Sequence, residues 1–205
     1  SVRYIGNMSS GRTAAGLADA LTRAGHTVTW LGAEDAIEPG RVALTERYYS
    51  FTDLEEQLRK LLAADDYDMV IHAAAVSDFS IAAVLTGDGV ALDSQSGKLS
   101  SGSDLLLQLK RNPKLLDSIR SWSKNPAVSV VGFKLTDTKD PRQQIAAIKK
   151  QFEDSGVDAV VHNDLSDISR ETHTFSVHAP TQEPVHCADG EALANTLNEL
   201  MGVIQ

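Results

Sequence analysis

Short apolar runs rich in Val, Ile and Leu alternate along this chain with capped stretches of helical length. That alternation constrains the fold more than any single motif does. Residues 10–24, SGRTAAGLADALTRA, set Ala14, Leu17, Ala18 and Leu21 on one helical face, with Ser9 or Ser10 as the cap and Gly25 as the stop. HTVTWLG at 26–32 reads as a buried strand and RVALTERYY at 41–49 as a second. TDLEEQLRKLLAADD follows as a helix, with Thr52 at the cap and Glu55 three residues on, the spacing of a capping box. YDMVIHAAAV at 67–76 is a strand that runs into small residues.

The pattern resumes after an interruption. A helix is predicted over 113–123 with Asn112 as cap and Pro113 in the first turn, then a strand at 127–135, a helix at 141–156 and a strand at 157–165. THTFSVHA at 172–179 alternates, with Phe175 and Val177 on one face, and is expected to be an antiparallel edge strand. A helix capped by Asp189 closes the chain over 189–204. Strand and helix in this order predict an α/β fold, a mostly parallel sheet with helices on both faces. The interruption, about 80–110, is broken by Gly, Ser and Asp and reads as a flap of extended or antiparallel segments inserted into a single domain.

Open α/β sheets take ligands at the carboxyl ends of their strands, which draws attention to the loops at 5–11, 72–79 and 162–167 and to the end of the strand at 127–133. In the first, Ser9, Ser10 and Gly11 precede a helix, either as a plain cap or as an anion site built from free N–H groups, and Asn7 brings an amide that both donates and accepts. The pattern is neither GxGxxG nor GxxxxGK[ST], so neither a dinucleotide fingerprint nor a Walker loop is present. In the second, the alanines beginning at Ala73 and Ala74 read either as a flat floor for a base or ring or as a tight strand–helix crossing, His72 reads as a core histidine, and Asp78 ends the strand as a candidate acceptor for a ribose hydroxyl. Lys98 in the flap, Lys110 and Arg111 ahead of a helix start, and Lys149 and Lys150 on a later helix are cations in an acidic chain, each either a phosphate contact or a solvated surface charge. The net charge of -9, from 19 basic and 28 acidic residues, argues against a nucleic-acid partner. The single cysteine, Cys187, rules out a disulfide framework and fits a reducing cytosolic setting. Neither a metal-ligand cluster nor a membrane span is read from the sequence.

Five segments together resemble one family. VRYIGNMSSG is similar to the VRxISNxSSG element of phosphopantothenoylcysteine synthetases, the phosphopantothenate–cysteine ligases. AAVSDF resembles their AAVxDY/F, and GKLSSGSDLLLQLKRNPKLL their xKIKSxxxxLxLxLxKNPDIL. VVGFKLTD resembles VVGFxxET, and VVHNDLS resembles xxANDVS. The order is kept over residues 2–166.

The resemblance implies a modified Rossmann-like fold, a homodimer, and amide synthesis in two steps. CTP or ATP, with Mg2+, would activate the carboxylate of 4'-phosphopantothenate as an acyl-nucleotidylate, and the amine of cysteine would then attack. By motif, Asn7 is implied to handle the acyl intermediate and Lys98 to contact the nucleotide and support activation. Ser9, Ser10, Gly11, His72, Ala73, Ala74, Asp78, Arg111, Asn112, Pro113 and Phe133 are implied at the nucleotide, with Lys149 or Lys150 matching a helix lysine approximately. The departures are Ser100 where a second flap lysine would stand, Thr136 and Asp137 where the family has Glu-Thr, a long spacer between Asp78 and Lys98, and His162 where it has alanine. The alternative implied by those changes is a weakly active or inactive nucleotide-binding homologue. In the family a first strand and a glycine-rich loop precede the Asn7 element, so a segment upstream of Ser1 is expected to supply the central strand. No Tyr-x-x-x-Lys pattern supports a short-chain reductase.

Overall fold

A computed structural model describes residues 7, 9–92, 104–169 and 173–204. In chain order the elements are α1 (Arg12–Arg23), β1 (Thr29–Ala33), β2 (Leu44–Tyr48), α2 (Phe51–Ala64), β3 (Met69–His72), β4 (Phe79–Thr86) and β5 (Leu105–Arg111). They continue with α3 (Leu115–Trp122), β6 (Ser129–Thr136), α4 (Pro141–Ser155), β7 (Ala159–Asp164), β8 (Phe175–His178), β9 (Val185–Cys187) and α5 (Gly190–Ile204). Two compact units emerge, one holding Asn7 and the segment 75–114, the other the remaining described residues.

In the larger unit the parallel register runs β3–β6–β7, and β8 and β9 add antiparallel strands on the far side of β7. β1 and β2 form a separate parallel pair. Every residue of β7 is buried, as expected of a strand covered on both faces. Val161, Ala159, Val131, Phe175 and Val177 pack with Leu17 of α1 and Leu193, Leu197 and Leu200 of α5. α3 and α4 pack together and against β6, and α2 packs on α3, so Leu58, Leu62, Ile119 and Ile148 are buried as well. Each such side chain contributes about 1.5–3 kcal/mol when taken from water.

Several boundaries differ from the expectation, each for a local reason. The cap of α1 is Gly11, in the left-handed region at φ 69°, with no side-chain cap. The stop holds: Gly25 N–H donates to the Thr22 carbonyl and His26 N–H to the Leu21 carbonyl, a Schellman closure. α2 is capped by Ser50, not Thr52; the Ser50 oxygen accepts from Asp53 N–H at 3.2 Å while the Asp53 carboxylate accepts from Tyr49 N–H at 2.8 Å. α3 begins at Leu115, and Asn112 does not cap it. β8 is not an edge strand, because β9 pairs beyond it. Asp189 does cap α5, accepting from the N–H groups of Glu191 and Ala192.

The smaller unit is the expected flap in antiparallel form. β4 and β5 pair from Phe79↔Arg111 to Thr86↔Leu105, with an irregularity between Ile81 and Ala83. Among the described residues no helix is long and apolar enough to cross a membrane.

Candidate functional site

In the larger unit the first turn of α1 is open. Among the described residues, Ser9 Oγ and Ser10 Oγ take only long bonds, 3.4 Å each, from the N–H groups of Gly11 and Arg12. The amides of Thr13 and Ala14 have no partner among the described residues, which leaves donors free at the positive end of the helix dipole. Gly11 is required twice: its φ is left-handed, and a Cβ there would fall 2.8 Å from Cβ of Ala36. The small residues that suggested an anion loop are thus a glycine cap with exposed amides.

His72 ends β3 opposite Gly132 of β6, and Ala73 and Ala74 continue the chain partly buried. Burial pushes the His72 imidazole down to about 4, so it is neutral near pH 7. Phe133 lies inside β6, packed on the core and edge-on to Phe175 at 6.5 Å, so its ring is partly committed to packing. Lys149 is exposed, eight residues into α4 and about 12 Å along the axis from the helix start. Its neighbour Lys150 pairs with Asp154 at 2.8 Å.

In the smaller unit Asn7 donates from Nδ2 to the Val76 carbonyl at 3.0 Å, which ties it to the entry of β4. Asp78 is ion-paired with Lys114 at 2.5 Å, a partner the motif reading had not singled out, and both are exposed. Asn112 staples the base of the hairpin: its N–H donates to the Asp78 carbonyl, its Nδ2 to the Ser77 carbonyl at 2.9 Å, and its Oδ1 accepts from Ser80 Oγ at 2.7 Å. Arg111 and Pro113 flank it, exposed. Lys98 and Ser100 lie outside the described residues.

One constellation went unread in the sequence. The Asp164 carboxylate, 1% exposed, accepts from Thr136 Oγ1 at 2.5 Å, Thr138 N–H at 3.0 Å, and Ser166 N–H and Oγ at 3.0 and 2.7 Å. The Thr136 hydroxyl, with the amides behind it, holds this carboxyl well below the usual carboxylate range. Because that hydroxyl donates to Asp164, its oxygen accepts from His162 Nε2 at 2.9 Å. That tautomer leaves His162 Nδ1 to accept from Ser176 Oγ at 3.4 Å, and Ser176 in turn accepts from His178 Nε2 at 2.9 Å. Burial lowers the pKa of both histidines. This hydrogen-bond chain locks the carboxyl ends of β6 and β7. The signal was in the sequence, an Asp-x-Ser step after a buried strand, but its partner Thr136 is 28 residues away.

Cys187 is fully buried, with Sγ 3.4 Å from Thr196 Oγ1. Among the described residues no three His, Cys, Asp or Glu side chains gather as a metal site.

The chain is 32% identical over 166 residues to the coenzyme A biosynthesis bifunctional protein CoaBC of Methanocaldococcus jannaschii, and 31% identical over 164 residues to that of Thermococcus kodakarensis. It covers 37% and 38% of those relatives' length, and 80% of this chain is aligned in each case. Among solved structures, the DNA/pantothenate metabolism flavoprotein from Streptococcus pneumoniae superposes with a TM-score of 0.87 at 25% identity, covering 100% of this chain and 93% of that one. A Cab2 mutant in complex with phosphopantothenate-cysteine superposes at 0.77 with 16% identity, over 100% of this chain and 82% of that one, and shares the fold. The family described as DNA/pantothenate metabolism flavoprotein C-terminal domain matches residues 1–201. This chain therefore belongs to that family, the one toward which its resemblance to phosphopantothenoylcysteine synthetases pointed.

Proposed function

We propose that the chain is the ligase part of coenzyme A biosynthesis, joining 4'-phosphopantothenate to cysteine at the expense of CTP or ATP. The observation that carries this reading is the family match over 1–201, in which the SSG segment falls at a helix start whose Thr13 and Ala14 amides have no partner among the described residues. The relatives' names, with their place in coenzyme A biosynthesis, and the phosphopantothenate-cysteine bound to the Cab2 mutant support the same substrates.

The chemistry proposed has two steps. A carboxylate oxygen of 4'-phosphopantothenate attacks the α-phosphorus of the nucleotide, and the P–O bond to pyrophosphate breaks. The cysteine amine then attacks the acyl carbon, the nucleoside monophosphate leaves, and the amine proton passes to solvent. The first step brings anions together, so aligned N–H groups and cations lower its barrier. The open amides at Thr13 and Ala14 are suited to a phosphate, and Asn7 to the acyl-nucleotidylate. Lys98, Arg111 and Lys149 are the cations the family pattern assigns to the nucleotide. Mg2+ is expected to arrive on the triphosphate. The exposed Phe79, Ile81, Leu106, Leu107 and Leu109 of the hairpin suit a homodimer, since two strands alone are marginally stable.

The test is incubation with 4'-phosphopantothenate, cysteine and either nucleotide. Pyrophosphate release that requires 4'-phosphopantothenate, followed by amide formation with cysteine, supports the ligase; nucleotide binding without turnover supports the inactive homologue. Asn7→Asp is expected to slow the second step and accumulate the acyl-nucleotidylate, and normal turnover by that variant would sink the role given to Asn7.

A further inference from the structure

Arg47 lies in β2 opposite Gly32 of β1. Its Nη1 donates to the carbonyl oxygens of Ala33 at 2.9 Å and Glu34 at 2.8 Å, and at 3.4 Å to that of Ala36. Its Nη2 pairs with Glu38 at 2.7 Å, and the guanidinium rests over the Trp30 ring, 5.4 Å from the centroid. Every acceptor belongs to β1's last residue or to the loop that follows it. The far end of that loop is fastened to α1, where the Asp19 carboxylate accepts from the N–H groups of Gly40 and Arg41 at 3.1 and 2.8 Å.

The same loop meets the start of α1. Ile37 N–H donates to the Ser10 carbonyl at 2.9 Å, and the Ala36 methyl occupies the space a side chain at Gly11 would need. The chain of contact runs from the guanidinium to the loop and from the loop to Ser10 and Gly11. Those two residues set the direction of the unpaired first-turn amides. A planar fork is what this task needs: it ties several carbonyls at fixed angles, whereas a lysine ammonium keeps the charge and loses the geometry.

We propose that Arg47 is a positioning residue for the nucleotide, fixing the loop after β1 so that Ser10 and Gly11 hold the α1 amides toward a phosphate. This rests on the ligase reading above and adds to it a residue that touches neither substrate.

The experiment uses the full-length protein and its Arg47→Lys variant, with CTP and ATP each tested as the nucleotide. Two readouts are taken together: amide hydrogen exchange at Ile37, and the nucleotide KM and kcat for pyrophosphate release. The variant is expected to exchange faster at Ile37 and to raise the nucleotide KM about tenfold while kcat stays within about twofold, the pattern of lost binding. Glu38→Gln, which leaves the carbonyl bonds intact, should behave as the parent. If Arg47→Lys melts too early to assay, Asp19→Ala frees the other end of the loop and must raise the same KM. A KM unchanged in the variant, or faster kinetics at Ile37 without any KM change, overturns the proposal. A parent that releases no pyrophosphate sinks the ligase reading instead, so the two failures are distinguishable.

Discussion

Gly32 is buried in β1 because Trp30, two residues back on the same strand face, folds its ring along the chain. A Cβ placed on Gly32 would stand 2.1 Å from two carbons of the indole. Gly32→Ala therefore forces Trp30 off its seat, where it is 5% exposed. Re-exposing about half of an indole of roughly 200 Å2, at about 25 cal/mol/Å2, costs about 2.5 kcal/mol. Replacing a strand glycine recovers about 0.5 kcal/mol through the unfolded chain, which leaves a net loss of about 2 kcal/mol. The assay is urea unfolding in a Trp122→Phe background, where Trp30 is the sole fluorophore of the two tryptophans. The midpoint should fall, and native emission should shift to the red as the ring meets water. The decisive arm repeats the substitution in a Trp30→Ala background. There the obstacle is gone, and Gly32→Ala should be neutral or mildly stabilising. An equal penalty in both backgrounds would refute the steric argument.

Two further outcomes follow from hydrogen bonds. The Asp164 carboxyl titrates below its unfolded value of about 4, so its contribution to stability is present above that pH and fades as pH falls through the lower folded value. Asp164→Asn should lower the melting temperature near neutrality and flatten the acid limb of the melting curve against pH; an acid limb of unchanged slope would count against the assignment. Asn112→Ala removes two side-chain bonds at the hairpin base, worth about 1 kcal/mol each, so amide exchange across β4 and β5 should quicken roughly tenfold or more. Exchange indistinguishable from the parent would show that the staple is idle.

The parallel core was legible because its elements carry their own punctuation. Strand and helix alternate at the right lengths, and Gly25 and Asp189 act where the sequence places them. Capping was less legible where the signal is degenerate: Ser50–Asp53 and Thr52–Glu55 have the same spacing, and only the path of the chain out of β2 selects the first. β9 has three residues, too few for a period to show, so β8 was taken for the edge. Asn112 looked like a cap because its partners Ser77 and Ser80 lie more than thirty positions back. Arg47 and Lys114 were passed over for the same reason: their roles are defined by carbonyls and a carboxylate brought near by the fold, not by neighbours in sequence.

Two departures from the family pattern meet in space and are better understood as one. Thr136 stands where the pattern has glutamate, and His162 where it has alanine, on adjacent strands β6 and β7. Their side chains bond each other at 2.9 Å, and both belong to the chain that ends on Asp164. The Thr136 hydroxyl donates to Asp164 and meets His162 Nε2, with Ser176 at the remaining ring nitrogen. The histidine also satisfies the second valence of the hydroxyl, which an alanine could not. The ends of β6 and β7 are thus locked through two residues that both depart from the pattern.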